Sequence, residues 1–218
     1  PSSHRTPQVL KFLLESLAEN EGKYDQKSFT DKWDRLLQTM DGKRQSAGYT
    51  NKDMIDVWRR RVRDGLPWGQ CASSFGDTTD AFPRAALLCA RFVADLKNAA
   101  LLAREHVQLH MADPTVGSHA VAFGATVAQL VLGVPLDGDI GGKLYGLARS
   151  GTLPFTHALS PEERKAGLTD RDVEDLPEPD ALFVPGVAAR LVADQTNFPV
   201  KEAWKAPQMY GLACAFFM

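Results

Sequence analysis

Cysteine is scarce in this chain and poorly spaced for metal: Cys71, Cys89 and Cys214 are the only three, with no CxxC pair and no Cys/His spacing suited to zinc. An odd, scattered set of thiols also fits no disulfide framework. The cysteines therefore read as small buried apolar groups in a reducing compartment. An excess of one charge is missing too. Lysine plus arginine number 25 against 27 aspartates and glutamates, a net charge of −2, and the pI is near 6.2. No field of that kind draws a protein to nucleic acid or to an anionic membrane. No run of about 18 apolar residues exists to span a bilayer, and Pro1 to Leu10 holds no apolar signal core. These absences predict a cytoplasmic protein without nucleic-acid or membrane partners. Strand-like alternation, internal repeats and low-complexity tracts are also lacking, which leaves helices.

What is present is a chain of 218 residues, 44% hydrophobic, long enough to bury a sizeable core. The pattern predicts an all-α fold, a compact orthogonal multi-helix bundle, as a single helical domain over residues 1–218. The chain opens on Pro1 and stops inside the apolar run from Tyr210 to Met218. Natural C-termini are usually polar, so a domain truncated at both ends is expected.

Helices follow from apolar periodicity. Val9, Phe12, Leu13 and Leu17 make one stripe, closed by Gly22. Asp25 is placed to cap a second helix reaching about Met40, with Phe29, Trp33, Leu36 and Leu37 on its apolar face. A third is expected over Asn51 to Asp64. Thr50 and Asp53 imitate a capping box at its start. Arg59, Arg60, Arg61 and Arg63 form a solvated face that suits its negative end. After Gly65 to Gly69 a polar loop leads into a fourth helix containing Arg84, Leu88 and Cys89, with Thr79 or Asp80 as its cap. Leu96 to His110 is a fifth. Thr115 to Leu132 is almost wholly small and apolar; Ala120, Ala122, Gly124, Ala125 and Ala128 allow close helix approach, marking a central helix. Asp137 to Gly142 reads as a surface turn before a short helix through Arg149. Ser160-Pro161 opens a short helix, Thr169 to Pro179 is an acidic loop, Ala181 to Ala193 is helical, and a last helix begins after Pro199.

Polar residues set between buried helices carry the functional signal, because burying them costs free energy unless they are paired or used. One group is Ser73 to Arg84, where hydroxyls, the carboxylates of Asp77 and Asp80 and the Arg84 guanidinium precede an apolar helix. The other is Leu109-His110-Met111-Ala112-Asp113-Pro114, a helix junction with Asp113 as cap and Pro114 in the first turn. His110 there suits three roles: orienting a carboxylate, binding a substrate hydroxyl, or sitting satisfied in the core.

The Ser-Leu-Ala-Glu stretch ending the first helix, the Ala81-x-x-Arg84-Ala85-Ala86-Leu87 core, and Asp113-Pro114 opening a small-residue helix that closes on Leu132-Gly133 together resemble the ADP-ribosylglycohydrolase family. That family includes J-type crystallin relatives. The resemblance covers roughly Val9 to Gly133 and, more faintly, Ala181 onward. It implies an all-helical, magnesium-dependent hydrolase that removes ADP-ribose from protein side chains or small acceptors. It also implies metal held by a Thr-Asp-Asp group and an Asp-x-Asp-Thr-like group, oxygen donors that suit a hard cation. Neither acidic group has a match in this chain, so the expectation is no metal ligand, no catalytic residue and no cofactor for the chain itself, with Mg2+ in an intact parent. Where such proteins place His two residues before Asp, Met111 stands here, and His110 lies one position earlier. By position, Ser74, Asp77, Phe82, Arg84 and His110 are the substrate-side set. The alternative is a non-catalytic, J-crystallin-like structural or binding protein of the same fold.

Overall fold

A computed structural model of the chain describes residues 5–41, 52–74, 79–155, 181–182 and 184–185. Seven α-helices stand among the described residues, together with one isolated parallel bridge between Ser73 and Met111. The fold is all-α, as the periodicity predicts. The expected elements at Ser160, Thr169 to Pro179 and beyond Pro199 lie outside the described residues. Of the Ala181 to Ala193 helix, residues 181–182 and 184–185 are described and helical. No described helix is long and apolar enough to cross a membrane.

By their internal contacts the residues form two compact units, Pro1–Phe75 with Gln108–Asp113, and Gly76–Val107 with Pro114–Met218. In the first unit, α1 (Arg5–Glu19) buries Val9, Leu13, Ser16 and Leu17. It ends as Glu21 and Gly22 turn left-handed and the Gly22 N–H donates to the Leu17 carbonyl at 2.7 Å, satisfying an otherwise orphaned helix carbonyl. Helix α2 (Gln26–Gln38) starts where Asp25 accepts the Ser28 N–H at 2.8 Å, the cap its sequence predicts. Its Lys32 reaches Glu19 of α1 at 2.7 Å. Helix α3 (Lys52–Trp58) is shorter than expected, because Arg59–Arg63 winds as a π turn in which the Asp64 N–H reaches back to the Arg59 carbonyl. Such turns use ordinary helix-forming residues, so periodicity does not reveal them. Asp53 does not serve as a capping-box residue alone, for its carboxylate is taken up elsewhere in the unit, and Thr50 lies outside the described residues.

The second unit contains α4 (Phe82–Arg91), a 3-10 turn at Val93–Asp95, most of α5 (Leu96–Gln108), α6 (Pro114–Val131) and α7 (Ile140–Arg149). Ala81 occupies the N-cap position of α4 without a side-chain cap bond, so neither Thr79 nor Asp80 caps it; the Thr79 carbonyl instead accepts the Phe82 N–H. Helix α6 is the central element its small residues predict. Ala120, Ala122, Gly124, Ala125 and Ala128 are all buried, and the helix packs against α4 and α7. Asp137, read as part of a surface turn, accepts the Asp139 N–H and pairs with Lys143 at 3.5 Å. Arg104 of α5 donates to the Pro154 carbonyl, fixing the chain after α7.

Candidate functional site

Ser73, which opens the first polar segment, is joined to the second inside the first unit. The Ser73 N–H donates to the His110 carbonyl at 2.8 Å, and the Ser73 carbonyl accepts the Ala112 N–H at 2.7 Å. Arg60 Nη1 holds the preceding carbonyl, that of Ala72, at 2.8 Å. Ser73 itself is wholly buried, and its hydroxyl donates to Asp53 Oδ1 at 3.0 Å. The next residue, Ser74, is exposed.

His110 is buried with its ring centroid 5.2 Å from that of Trp33. Trp33 is packed in turn by Phe29, edge to face at 5.4 Å, and by Trp68 at 5.0 Å, spacings at which aromatic pairs attract. Beyond Trp68 stands the arginine run. Arg61 forks onto Asp34, Nε to Oδ1 at 2.9 Å and Nη2 to Oδ2 at 2.8 Å, while Trp68 Nε1 donates to the same carboxylate at 3.2 Å. The hydrogen bonding to the Asp34 carboxylate holds the Arg61 guanidinium above its ordinary range. Arg59 and Arg60 pair with Asp56, and Arg63 with Asp64. The run is thus more fully engaged than a solvated face, and it braces the aromatic stack against which His110 lies.

Phe82 and Arg84 belong to the second unit, in the first turn of α4. The Phe82 ring is wholly buried and stacks on Phe123 of α6 with centroids 5.6 Å apart. Arg84 is 1% exposed; its Nη1 donates to the Asp80 carbonyl at 2.9 Å. Its charge acts on His106 of α5, whose imidazole is held well below 6.5, first by burial and then by Arg84. Of the five residues expected on the substrate side, then, Ser74 and His110 fall in the first unit and Phe82 and Arg84 in the second. Asp77 lies outside the described residues.

Comparison with known families gives one finding: the model of the ADP-ribosylglycohydrolase family matches residues 6–203. The chain belongs to the ADP-ribosylglycohydrolase family. Comparisons with curated proteins and with solved structures each return no match. The matched range contains both polar segments and every described helix from α2 to α7.

For an ADP-ribosylglycohydrolase domain the implied cofactor is a divalent metal. Among the described residues no three His, Cys, Asp or Glu side chains converge to hold one. The described residues therefore do not fit a magnesium ion. Sequence reasoning missed the pairings of Asp53 with Ser73 and of Asp34 with Arg61 and Trp68 in this family member, whose partners lie far along the chain. The buried His106 sets a pH dependence. Its folded pKa lies below its ordinary value of 6.5, so the unfolded chain binds the extra proton first. Its contribution to stability is complete above about pH 6.5 and is lost as pH falls below it, with a slope approaching 1.4 kcal/mol per pH unit, to order of magnitude. Urea titrations from pH 7.5 to 5 should show this decline, and His106→Gln should flatten it; an equal decline in that variant would assign the acid sensitivity to other groups.

Proposed function

We propose that the protein recognises the ADP-ribosyl group of modified proteins or small molecules at the surface carried by Ser74 and the His110–Ala112 segment. Recognition takes place in the cytoplasm; the magnesium-dependent hydrolysis that the family implies would need a cluster of acidic ligands, which the described residues do not form. The observation that carries this reading is the pair of backbone hydrogen bonds between Ser73 and residues 110 and 112. Those bonds join Ser73, within one unit, to the His110–Ala112 segment that runs up to Asp113. Ser74, exposed at the end of the bridge, is the hydroxyl available to a ribose or phosphate oxygen. His110 is buried against Trp33 and supports the segment from beneath. Phe82 and Arg84 serve the second unit by anchoring the first turn of α4. Hydrolysis would call on magnesium for the charge that orients ribose and water, and the sequence has no match to the acidic groups that would hold it.

Binding without turnover is therefore expected of this chain. Calorimetric titration with ADP-ribose should give a saturable heat, weakened roughly three- to tenfold by Ser74→Ala, the range for loss of one hydrogen bond. Chromatography should detect no ADP-ribose released from arginine- or serine-linked peptides in the presence of magnesium. Failure to bind ADP-ribose would overturn the reading, and release that survives repurification would overturn the expectation of inactivity.

A further inference from the structure

The bridge between Ser73 and Met111 is short, and its two backbone hydrogen bonds define its register weakly. A slip of one residue would preserve such bonds while turning every side chain to the opposite face. Ser74 would then point inward. A side-chain bond from a fixed helix removes that freedom, and Asp53 of α3 supplies it. The carboxylate is 1% exposed and accepts the hydroxyl of the wholly buried Ser73 at 3.0 Å, across twenty residues of sequence. Withdrawing a carboxylate from water is costly unless its oxygens are hydrogen-bonded. A Ser73 turned outward would therefore cost the buried carboxylate this hydrogen bond.

We infer that Asp53 is a positioning residue for ADP-ribose recognition: by accepting the Ser73 hydroxyl it fixes the register of the Ser73–Met111 bridge and keeps Ser74 facing outward. The inference rests on the function proposed above. A residue that merely braced α3 would lower the melting temperature and leave both ligand affinity and the bridge untouched.

The test compares the unmodified protein with Asp53→Ala, Asp53→Asn, Ser73→Ala and the double variant Asp53→Ala/Ser73→Ala. ADP-ribose affinity is measured by calorimetry well below each melting temperature, alongside amide hydrogen exchange at Ala112. Asp53→Ala and Ser73→Ala should each weaken ADP-ribose binding roughly tenfold and speed Ala112 exchange by a similar factor. The double variant should be no worse than either single one, because both remove the same bond. Asp53→Asn should stay within about threefold of the unmodified protein, since its amide oxygen still accepts. Normal affinity in Asp53→Ala, or additive losses in the double variant, would overturn the inference while leaving the proposed function standing. If Asp53→Ala does not fold, Ser73→Ala, which removes a single oxygen, decides the matter by the same criteria. Absence of binding by the unmodified protein is a different result, and it would overturn the proposed function and this inference together.

Discussion

Leucine in place of Gly124 is expected to prevent α6 from seating on α4, so that the second unit loses its cooperative unfolding transition. A Cβ built at Gly124 would lie 2.8 Å from the Ala85 carbonyl oxygen, 2.8 Å from Cys89 Sγ and 3.0 Å from the Ala85 carbonyl carbon. The thiol can swing aside, but the carbonyl belongs to the α4 backbone and moves only with its helix. Interiors are packed densely enough that such a clash is not absorbed locally. Alanine at the same position tests the balance more finely. Overpacking costs about 1–3 kcal/mol, while replacing a helical glycine by alanine recovers at most about 1 kcal/mol of propensity. A net loss on the order of 1–2 kcal/mol is expected, read from urea denaturation followed by circular dichroism. Cys89→Ala should not rescue either variant, because the Ala85 carbonyl remains. A Gly124→Ala protein more stable than the original would show that the two helices stand further apart than described.

Trp33→Ala carries the other large effect. The indole is fully buried among Phe29, Trp68 and His110, and truncating a buried tryptophan costs about 3–5 kcal/mol through lost burial and the cavity left behind. Because His110 leans on this ring, the loss should also reach the bridge. Amide exchange at Ala112, whose N–H is held by the Ser73 carbonyl, is expected to accelerate under conditions where the variant is still folded. Trp33→Phe should lose less on both measures, since an aromatic face remains for Trp68 and His110. A loss under about 1 kcal/mol for Trp33→Ala would place the side chain outside the core.

Helix existence was legible wherever one face had to be apolar or one helix had to come close to another. The stripe through Val9, Leu13 and Leu17 and the small residues of α6 both show this, because each follows from a spacing of three or four residues. Asp25 was legible for the same reason: its partner, Ser28, is three residues away. What escaped was long-range pairing. Asp34 and Arg61 are separated by 27 residues, and Asp53 and Ser73 by 20, and neither pair leaves a mark in the intervening sequence. Asp53 reads as half of a capping box because that motif is local, whereas its bond to Ser73 is not. Thr79 and Asp80 looked like caps for α4 by residue type, yet the helix begins at Phe82 after Ala81. The arginine run illustrates the limit from the other side. Its charge reads as solvation until the fold supplies Asp34, Asp56 and Asp64 as partners. Of the candidate site, Ser73 and His110 stand out by residue type in the sequence, and the bridge between Ser73 and Met111 does not.

The most direct test is a backbone amide spectrum of the isotopically labelled protein titrated with ADP-ribose. Saturable shifts are expected at Ser74 and at His110 to Ala112, with the amides of α7 unmoved. A spectrum that does not change, or one whose only shifts lie away from the Ser73–Met111 bridge, would contradict recognition of ADP-ribose at this surface.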